Sequence, residues 1–195
     1  MNKIKGTGVA LITPFNEDFS IDYASLEKLI NHQIDGAIDY LVVMGTTGES
    51  VVLSKSEKRE VVDFCKKINA GRLPIILGLG SNDTFALVEE IKSTEFDGID
   101  AVLSVSPYYN KPTQEGIYLH YKMIAEVCPL PIILYNVPGR TASNISAETT
   151  LRLANDFENI VAVKEASGDL QQIAEIIEKR PANFLVLSGD DGLTS

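Results

Sequence analysis

The segment IVAVKEAS at residues 160–167 is the most informative stretch for the fold, because one lysine lies inside an almost unbroken apolar run. Runs of this kind are typical of parallel strands that are covered on both faces. Desolvation of an ammonium group is costly in such a strand, which favours the free amine of Lys164 near neutral pH. A free lysine amine can form a Schiff base with a carbonyl substrate. The alternative, which this segment alone leaves open, is a lysine at a strand end whose ammonium reaches solvent.

Composition narrows the possible classes of protein. The chain has 195 residues, of which 45% are hydrophobic, and this predicts a single domain over residues 1–195 with a sizeable core. A net charge of −10 argues against nucleic acid and anionic membranes as partners. Cys65 and Cys128 are too few for a disulfide framework. No apolar leader follows the first residues and no run is long enough to span a membrane, so we expect a reduced, cytoplasmic protein.

Short apolar runs alternate with amphipathic stretches along the chain. Strands are predicted at residues 8–14, 40–45, 74–80, 100–106, 131–136, 160–167 and 184–188. Helices are predicted at residues 23–35, 56–69, 84–94, 114–127, 147–155 and 169–179. This strict alternation of strand and helix is typical of an α/β fold with a parallel sheet.

Two α/β architectures fit this alternation. A doubly wound open sheet usually carries a glycine-rich phosphate turn after its first strand, but here the first strand ends in TPFN at residues 13–16. A (β/α)8 barrel instead places its chemistry at the carboxyl ends of several strands. Reactive side chains follow that pattern at Thr46, Thr47, Tyr108, Tyr109, Tyr135 and Lys164. The sequence therefore predicts a TIM (β/α)8 barrel that is incomplete at its C-terminus, with seven strands and six helices present.

Strand parity places Lys164 inside the predicted barrel. Because side chains alternate across a strand, Ala162, Lys164 and Ala166 share one face, and the residues between them suit packing beneath the helices. Tyr135 could point inward from the neighbouring strand, which would make a proton-transfer pair with Lys164 plausible. The alternative is a core tyrosine whose hydroxyl is satisfied by hydrogen bonding.

Two loops offer groups that could hold carboxylates. GTTGES at residues 45–50 combines backbone N–H groups with threonine hydroxyls, although it could also be an ordinary turn that caps the next helix. NVPGRT at residues 136–141 carries Arg140, whose guanidinium suits bidentate recognition of a carboxylate. A surface arginine in a proline–glycine turn is the other interpretation of this loop.

Five motifs together resemble the motif set of the dihydrodipicolinate synthase family. They are GTTGES at 45–50, SPYYN at 106–110, YNVPGRT at 135–141, VKEA at 163–166 and LSGDD at 187–191. They occur in the family order and cover essentially the whole chain. The family belongs to the pyruvate-dependent class I aldolases, which also include N-acetylneuraminate lyase, and Arg140 favours the synthase. Its members are longer, so the chain looks truncated, and a missing segment or another copy would have to complete the barrel.

The resemblance implies an aldol condensation of pyruvate with aspartate-4-semialdehyde. The product would be 4-hydroxytetrahydrodipicolinate, on the route to diaminopimelate and lysine. By position, Lys164 would form the Schiff base and Tyr135 would shuttle protons. Thr47 and Tyr109 would link Tyr135 to solvent, and Tyr109 would reach into the site of a neighbouring subunit.

The resemblance also implies the binding residues and the partners. Thr46 and Thr47 would hold the carboxylate of pyruvate, Arg140 would hold that of the semialdehyde, and the Gly189 backbone would line the pocket. No metal or organic cofactor is expected, since the covalent Schiff base makes pyruvate its own electron sink. Neither His32 nor His120 has metal-type spacing. The expected partners are the two substrates and further copies of the chain, as a dimer of dimers.

Other functions remain open. One is a lyase related to N-acetylneuraminate lyase, cleaving a sialic or deoxy-sugar acid, which would place sugar-hydroxyl contacts where Arg140 lies. Another is an inactive binding or scaffold fragment. Within the synthase family, lysine-inhibited members carry a carboxylate where this chain has Ala86 and a histidine where it has Lys55. This difference predicts weak or absent inhibition by lysine.

Overall fold

The computed structural model describes residues 4–190 and 192. The strands in this part of the chain are Gly8–Ala10 (β1), Tyr40–Val43 (β2), Ile75–Gly78 (β3), Ala101–Val105 (β4), Ile132–Asn136 (β5), Ile160–Glu165 (β6) and Leu185–Ser188 (β7). The helices are Tyr23–Asp35 (α1), Lys55–Asn69 (α2), Thr84–Ser93 (α3), Gln114–Val127 (α4), Pro138–Thr141 (α5), Ala147–Asp156 (α6) and Leu170–Lys179 (α7). Between β2 and α2, 3-10 turns lie at Thr46–Gly48 and Ser50–Val52.

The predicted strands and helices are all present, and apart from β1 their ends agree to within two residues. The β1 strand stops at Ala10 instead of residue 14, and Thr13 uses its side chain to donate a hydrogen bond to the Gly48 carbonyl at 2.7 Å. The one-turn helix α5 is absent from the sequence prediction. It begins with Pro138, whose fixed φ suits a first helical position, and it is followed by Ala142 in the left-handed conformation.

Local capping explains where several helices begin. Ser54 and Glu57 form a capping box at α2, in which the Ser54 hydroxyl accepts from the Glu57 N–H and the Glu57 carboxylate accepts from the Ser54 N–H. The hydroxyl of Ser146 caps α6 by accepting a hydrogen bond from the Thr149 N–H at 3.2 Å. These side chains satisfy N–H groups that the helices themselves leave without partners.

Contacts divide the chain into two compact units. In its described part the first unit comprises residues 4–78 and 96–101. Its strands β1, β2 and β3 are parallel and pair in chain order, with Val42 opposite Ile76. Helices α1 and α2 are in contact, and Leu26 of α1 is almost completely buried. The unit therefore has its own apolar core.

The second unit comprises residues 79–95 and, in its described part, 102–190 and 192. Its strands β4, β5, β6 and β7 are also parallel and in chain order. Contacts between helices join α3 to α4, α4 to α6, and α6 to α7. Across the strands, the register pairs Val105 with Tyr135, Tyr135 with Lys164, and Lys164 with Leu187. This register brings the carboxyl ends of the strands to one edge of the sheet, which is where the candidate site lies.

No helix in the described residues has the length and apolar character needed to cross a membrane.

Candidate active site

Lys164 and Tyr135 occupy paired positions at the ends of neighbouring strands in the second unit. The Lys164 Nζ lies 4.7 Å from the centroid of the Tyr135 ring, a distance at which an ammonium interacts with the aromatic face. Tyr135 is only 7% exposed and Lys164 is half-buried. The structure therefore places the two side chains together, as strand parity predicts.

Gly189 lies directly behind the lysine stem, one residue beyond β7. Its N–H donates to the Glu165 carbonyl at 2.7 Å. A Cβ at this position would lie 3.1 Å from Lys164 Cε and 2.7 Å from Ala166 Cβ. Only glycine fits here without displacing one of these neighbours, so Gly189 leaves the space that the lysine stem occupies.

Arg140 and Tyr109 lie on two segments of the second unit that are tied together, the short helix α5 and the loop after β4. The Tyr109 N–H donates to the Thr141 carbonyl at 3.3 Å, and the buried hydroxyls of Ser106 and Ser143 are 3.5 Å apart. Arg140 is exposed on α5, and Tyr109 is 79% exposed with a φ of 80°. A positive φ is strained for a bulky residue and persists only when the surroundings hold it, which the contact with Thr141 helps to do.

Thr46 and Thr47 begin the 3-10 turn that follows β2 in the first unit. The Gly48 N–H donates to the Gly45 carbonyl at 3.0 Å and closes the turn. Gly48 is buried, and its carbonyl accepts the hydrogen bond from Thr13 that ties the turn to the segment after β1. Both threonine side chains are exposed. The turn's own hydrogen bonds do not use the N–H groups of its first residues.

Glu165 lies next to Lys164 and was not predicted from the sequence to be a site residue. The residue is 2% exposed, and its carboxylate accepts hydrogen bonds from Asn136 Nδ2 at 2.8 Å and from Gln172 Nε2 at 3.0 Å. The sequence does indicate that Glu165 is buried, because strand parity puts it on the face of β6 that packs beneath the helices. A buried carboxylate requires hydrogen-bond donors. The partners themselves are distant in sequence and could not be inferred.

Burial also governs titration away from the strand ends. His120 of α4 is buried with Nδ1 2.8 Å from the Thr84 hydroxyl, and desolvation lowers the pKa of its imidazole to about 4. It is therefore neutral at pH 7. Burial raises the pKa of the Cys65 thiol to about 12, which makes a thiolate at that position unavailable. Within residues 4–190 and 192, no group of three or more metal-ligating side chains is placed to hold a metal ion.

The strand-end pair thus combines an amine that can attack a carbonyl carbon with a phenol that can transfer protons. These groups lie at the carboxyl ends of parallel strands, each of which is followed by a helix. The fold and the site together define a (β/α)-barrel protein with a lysine-centred site.

The chain belongs to the dihydrodipicolinate synthetase family, whose family model matches residues 3–195. It is 57% identical over 194 residues to the 4-hydroxy-tetrahydrodipicolinate synthase of Flavobacterium psychrophilum, covering 100% of this chain and 66% of that protein. These matches confirm the resemblance inferred from the five motifs.

Solved structures confirm the barrel class of the fold. The dihydrodipicolinate synthase of Aquifex aeolicus superposes with a TM-score of 0.92 at 45% identity, covering 98% of this chain and 65% of that one. The chloride-inhibited synthase of Acinetobacter baumannii, complexed with pyruvate, gives a TM-score of 0.92 at 45% identity, with 96% and 64% coverage. The chain thus spans just under two thirds of the length of these relatives.

Proposed function

We propose that the chain carries the Schiff-base site of an aldolase that condenses pyruvate with aspartate-4-semialdehyde to give 4-hydroxytetrahydrodipicolinate. The observation that carries this proposal is the 4.7 Å approach of Lys164 Nζ to the ring of Tyr135 at paired strand positions. The relative from Flavobacterium psychrophilum bears the name of that synthase, and the relative from Acinetobacter baumannii was solved with pyruvate. The first name supports the proposed product, and the second structure supports pyruvate as the first substrate.

The proposed chemistry starts at the amine of Lys164. Its nitrogen attacks the ketone carbon of pyruvate, water leaves, and a carbon–nitrogen double bond remains. Electron withdrawal by this iminium allows the methyl group to lose a proton, and the resulting enamine carbon attacks the aldehyde carbon of the second substrate, which restores the iminium. The amino group of the second substrate then attacks the iminium carbon, which closes the ring and releases the amine of Lys164. Tyr135 moves the protons that these steps release and consume. No metal or organic cofactor enters the scheme.

The remaining site residues take binding and relay roles in this proposal. Thr46 and Thr47 hold the pyruvate carboxylate, for which their exposed hydroxyls and turn N–H groups are suited. Arg140 holds the carboxylate of the semialdehyde, and the Gly189 backbone lines the pocket. Thr47 and Tyr109 relay protons between Tyr135 and solvent.

A homo-oligomer is part of the same proposal. The ring of Tyr109 is exposed and its backbone is held at a positive φ, which supports a role in which the ring reaches a second copy of the chain. We expect a dimer of dimers, and light scattering on the purified chain measures its mass directly. A cytoplasmic location remains a prediction from composition.

Two experiments separate this function from its alternatives. Reduction with borohydride in the presence of pyruvate traps the iminium, so a covalent adduct distinguishes an aldolase from an inactive binding or scaffold fragment. Consumption of aspartate-4-semialdehyde together with pyruvate then distinguishes the synthase from a lyase acting on a sialic or deoxy-sugar acid. We expect an adduct and consumption of the semialdehyde. Adduct formation with turnover of only the sugar acid would contradict the proposed second substrate.

A further inference from the structure

A closed ring of polar side chains lies behind the Lys164–Tyr135 pair. Asn136 directly follows Tyr135, Glu165 directly follows Lys164, and the strand register pairs Asn136 with Glu165. Side chains alternate across a strand, so Asn136 and Glu165 point to the face opposite the site. Both are almost completely buried, at 0% and 2% exposure. A buried amide facing a buried carboxylate at this point fixes how the two strand ends meet.

Four side chains make up this polar ring, which consists of Asn136, Asn144, Glu165 and Gln172. Asn136 Nδ2 donates to Glu165 Oε1 and to Asn144 Oδ1, both at 2.8 Å. Asn144 Nδ2 donates to Gln172 Oε1 at 2.8 Å, and Gln172 Nε2 donates to Glu165 Oε2 at 3.0 Å. Each of the two carboxylate oxygens thus receives one amide donor.

The direction of every bond in the polar ring is fixed by a backbone group. The Ile145 N–H donates to Asn136 Oδ1 at 2.9 Å, so the amide nitrogen of Asn136 must point toward Glu165 and Asn144. Asn144 then presents its oxygen to Asn136 and its nitrogen to Gln172, and Gln172 turns its nitrogen toward Glu165. Asn136 and Gln172 both point donors at residue 165. A carboxylate there only accepts hydrogen bonds, so it closes the ring of hydrogen bonds without placing two donors face to face.

The polar ring connects the site lysine to the turn that carries Arg140. The side-chain oxygen of Asn136 accepts a hydrogen bond from the Ile145 N–H. Its backbone carbonyl accepts one from the Ala166 N–H at 2.8 Å. The segment between Asn136 and Ile145 contains α5 with Arg140. One side-chain cluster, which is buried at Asn136 and Glu165 and reaches the surface at Asn144, therefore holds the end of β6, the end of β5 and the far end of this segment in a single arrangement.

We infer that Glu165 is a positioning residue, whose carboxylate closes the polar ring and thereby holds Lys164 and the Arg140 turn in their working arrangement. This inference rests on the proposed function for the role of Lys164. The part of the inference that concerns the Arg140 turn rests only on the hydrogen bonds among the four side chains and Ile145.

A charge-neutral swap tests the polar ring. Glu165→Gln places an amide donor against the donor of Asn136 or of Gln172, and Gln172→Glu places two carboxylates against each other. In the double variant Glu165→Gln with Gln172→Glu, the amide at 165 donates to the carboxylate at 172, which still accepts from Asn144. Every bond of the polar ring except the 3.3 Å contact between Gln172 Nε2 and Asn144 Oδ1 is thereby restored. Glu158→Gln, at an exposed position, is the control for the loss of one charge.

Hydrogen exchange and borohydride trapping on the 195-residue chain provide two separate measurements. In either single variant we expect exchange of the Ile145 amide to rise about tenfold or more, because its acceptor loses its fixed orientation. Adduct formation with pyruvate should slow about tenfold while the half-saturating pyruvate concentration changes less. The double variant should return both values to within about threefold of the parent. Glu158→Gln should match the parent.

Failure of the inference can be distinguished from failure of the proposed function. A parent chain that forms no adduct contradicts the proposed function, and exchange at Ile145 in the three variants then decides whether the polar ring holds the turn. The inference that the polar ring holds the turn is overturned if exchange at Ile145 is unchanged in Glu165→Gln. It is also overturned if exchange in the double variant is as fast as in the single variants. A single variant that melts at lower temperature but forms adduct at the parent's rate overturns the positioning role, since a purely structural residue would behave in that way.

Discussion

Two regions of the second unit differ sharply in how they hold their candidate functional groups. At the strand ends, Tyr135 and Lys164 are buried or half-buried and are backed by the polar ring. On the loops, Arg140 and Tyr109 are exposed, and contacts through backbone and small hydroxyls tie their segments together. Groups on regular strands with buried support are held more precisely than groups on loops. We therefore expect covalent chemistry at the strand ends and substrate recognition on the loops.

Tyr135→Phe gives the largest effect that keeps the fold. Only a hydroxyl is removed, so the variant should fold normally while turnover falls by roughly 10²–10⁴-fold, the range for general acid–base groups. Steady-state rates of the chain provide the measurement. Tyr118→Phe removes a comparable hydroxyl on α4, where it donates to Asp156, and should leave turnover unchanged. Turnover of Tyr135→Phe within a few-fold of the parent would make Tyr135 a packing residue.

Arg140→Ala tests the loop side of the comparison. Losing a charge-assisted contact to a carboxylate costs about 1.5–3 kcal/mol, or roughly ten- to more than a hundredfold in affinity. The KM for the semialdehyde should rise by that factor and the KM for pyruvate should rise much less. Arg59→Ala removes a guanidinium from an exposed position on α2 and is the matched control, which should leave both KM values unchanged. Equal increases for both substrates would mean that Arg140 organises its loop and does not recognise the second substrate.

Gly189→Ala tests how closely the strand ends are fitted. The added Cβ would lie 2.7 Å from Ala166 Cβ and 3.1 Å from Lys164 Cε, so the strand ends must move apart by a few tenths of an ångström. Misplacement on this scale should slow adduct formation with pyruvate about tenfold. Gly139→Ala meets no atom within 4 Å and should keep the parent's rate. Equal rates for the two variants would show that the lysine stem tolerates displacement.

Acid titration of His120 separates the stability of the fold from the chemistry of the site. Its pKa is about 4 in the folded chain against an ordinary 6.5, so the unfolded state binds more protons between these values. The free energy of unfolding should therefore fall by up to about 3 kcal/mol as the pH drops from about 6.5 to about 4. Denaturant unfolding at several pH values should show a shallower decline in His120→Gln than in His32→Gln, which alters an exposed histidine. Parallel curves would contradict the cause assigned to this shift.

Sequence patterns predicted the regular elements well because burial and capping leave local signatures. The period of the apolar residues located the strands and helices, and parity at Lys164 and Tyr135 placed the two side chains together. Helix α5 was missed because its four residues, Pro138–Thr141, are too short to show a period. The early end of β1 at Ala10 was missed, and the contact that Thr13 makes beyond it, to Gly48, joins residues 35 apart and leaves no local pattern.

The polar ring could not be predicted for a different reason. Its hydrogen-bonded pairs are separated by 7 to 29 residues, and only the folded strands and helices bring them together. Parity indicated that Glu165 is buried and needs donors, but not that Asn136 and Gln172 supply them. Tertiary hydrogen-bond networks of this kind leave no local pattern of spacing.

The most direct test of the central claim is to locate the borohydride-trapped pyruvate adduct by peptide mass mapping. We expect the parent chain to carry the adduct on Lys164 alone. Lys164→Ala should carry none, and neither should Lys164→Arg, because a guanidinium is not deprotonated near neutral pH. An adduct on another lysine of the parent, or normal adduct formation by Lys164→Ala, would contradict the assignment of Lys164 as the nucleophile.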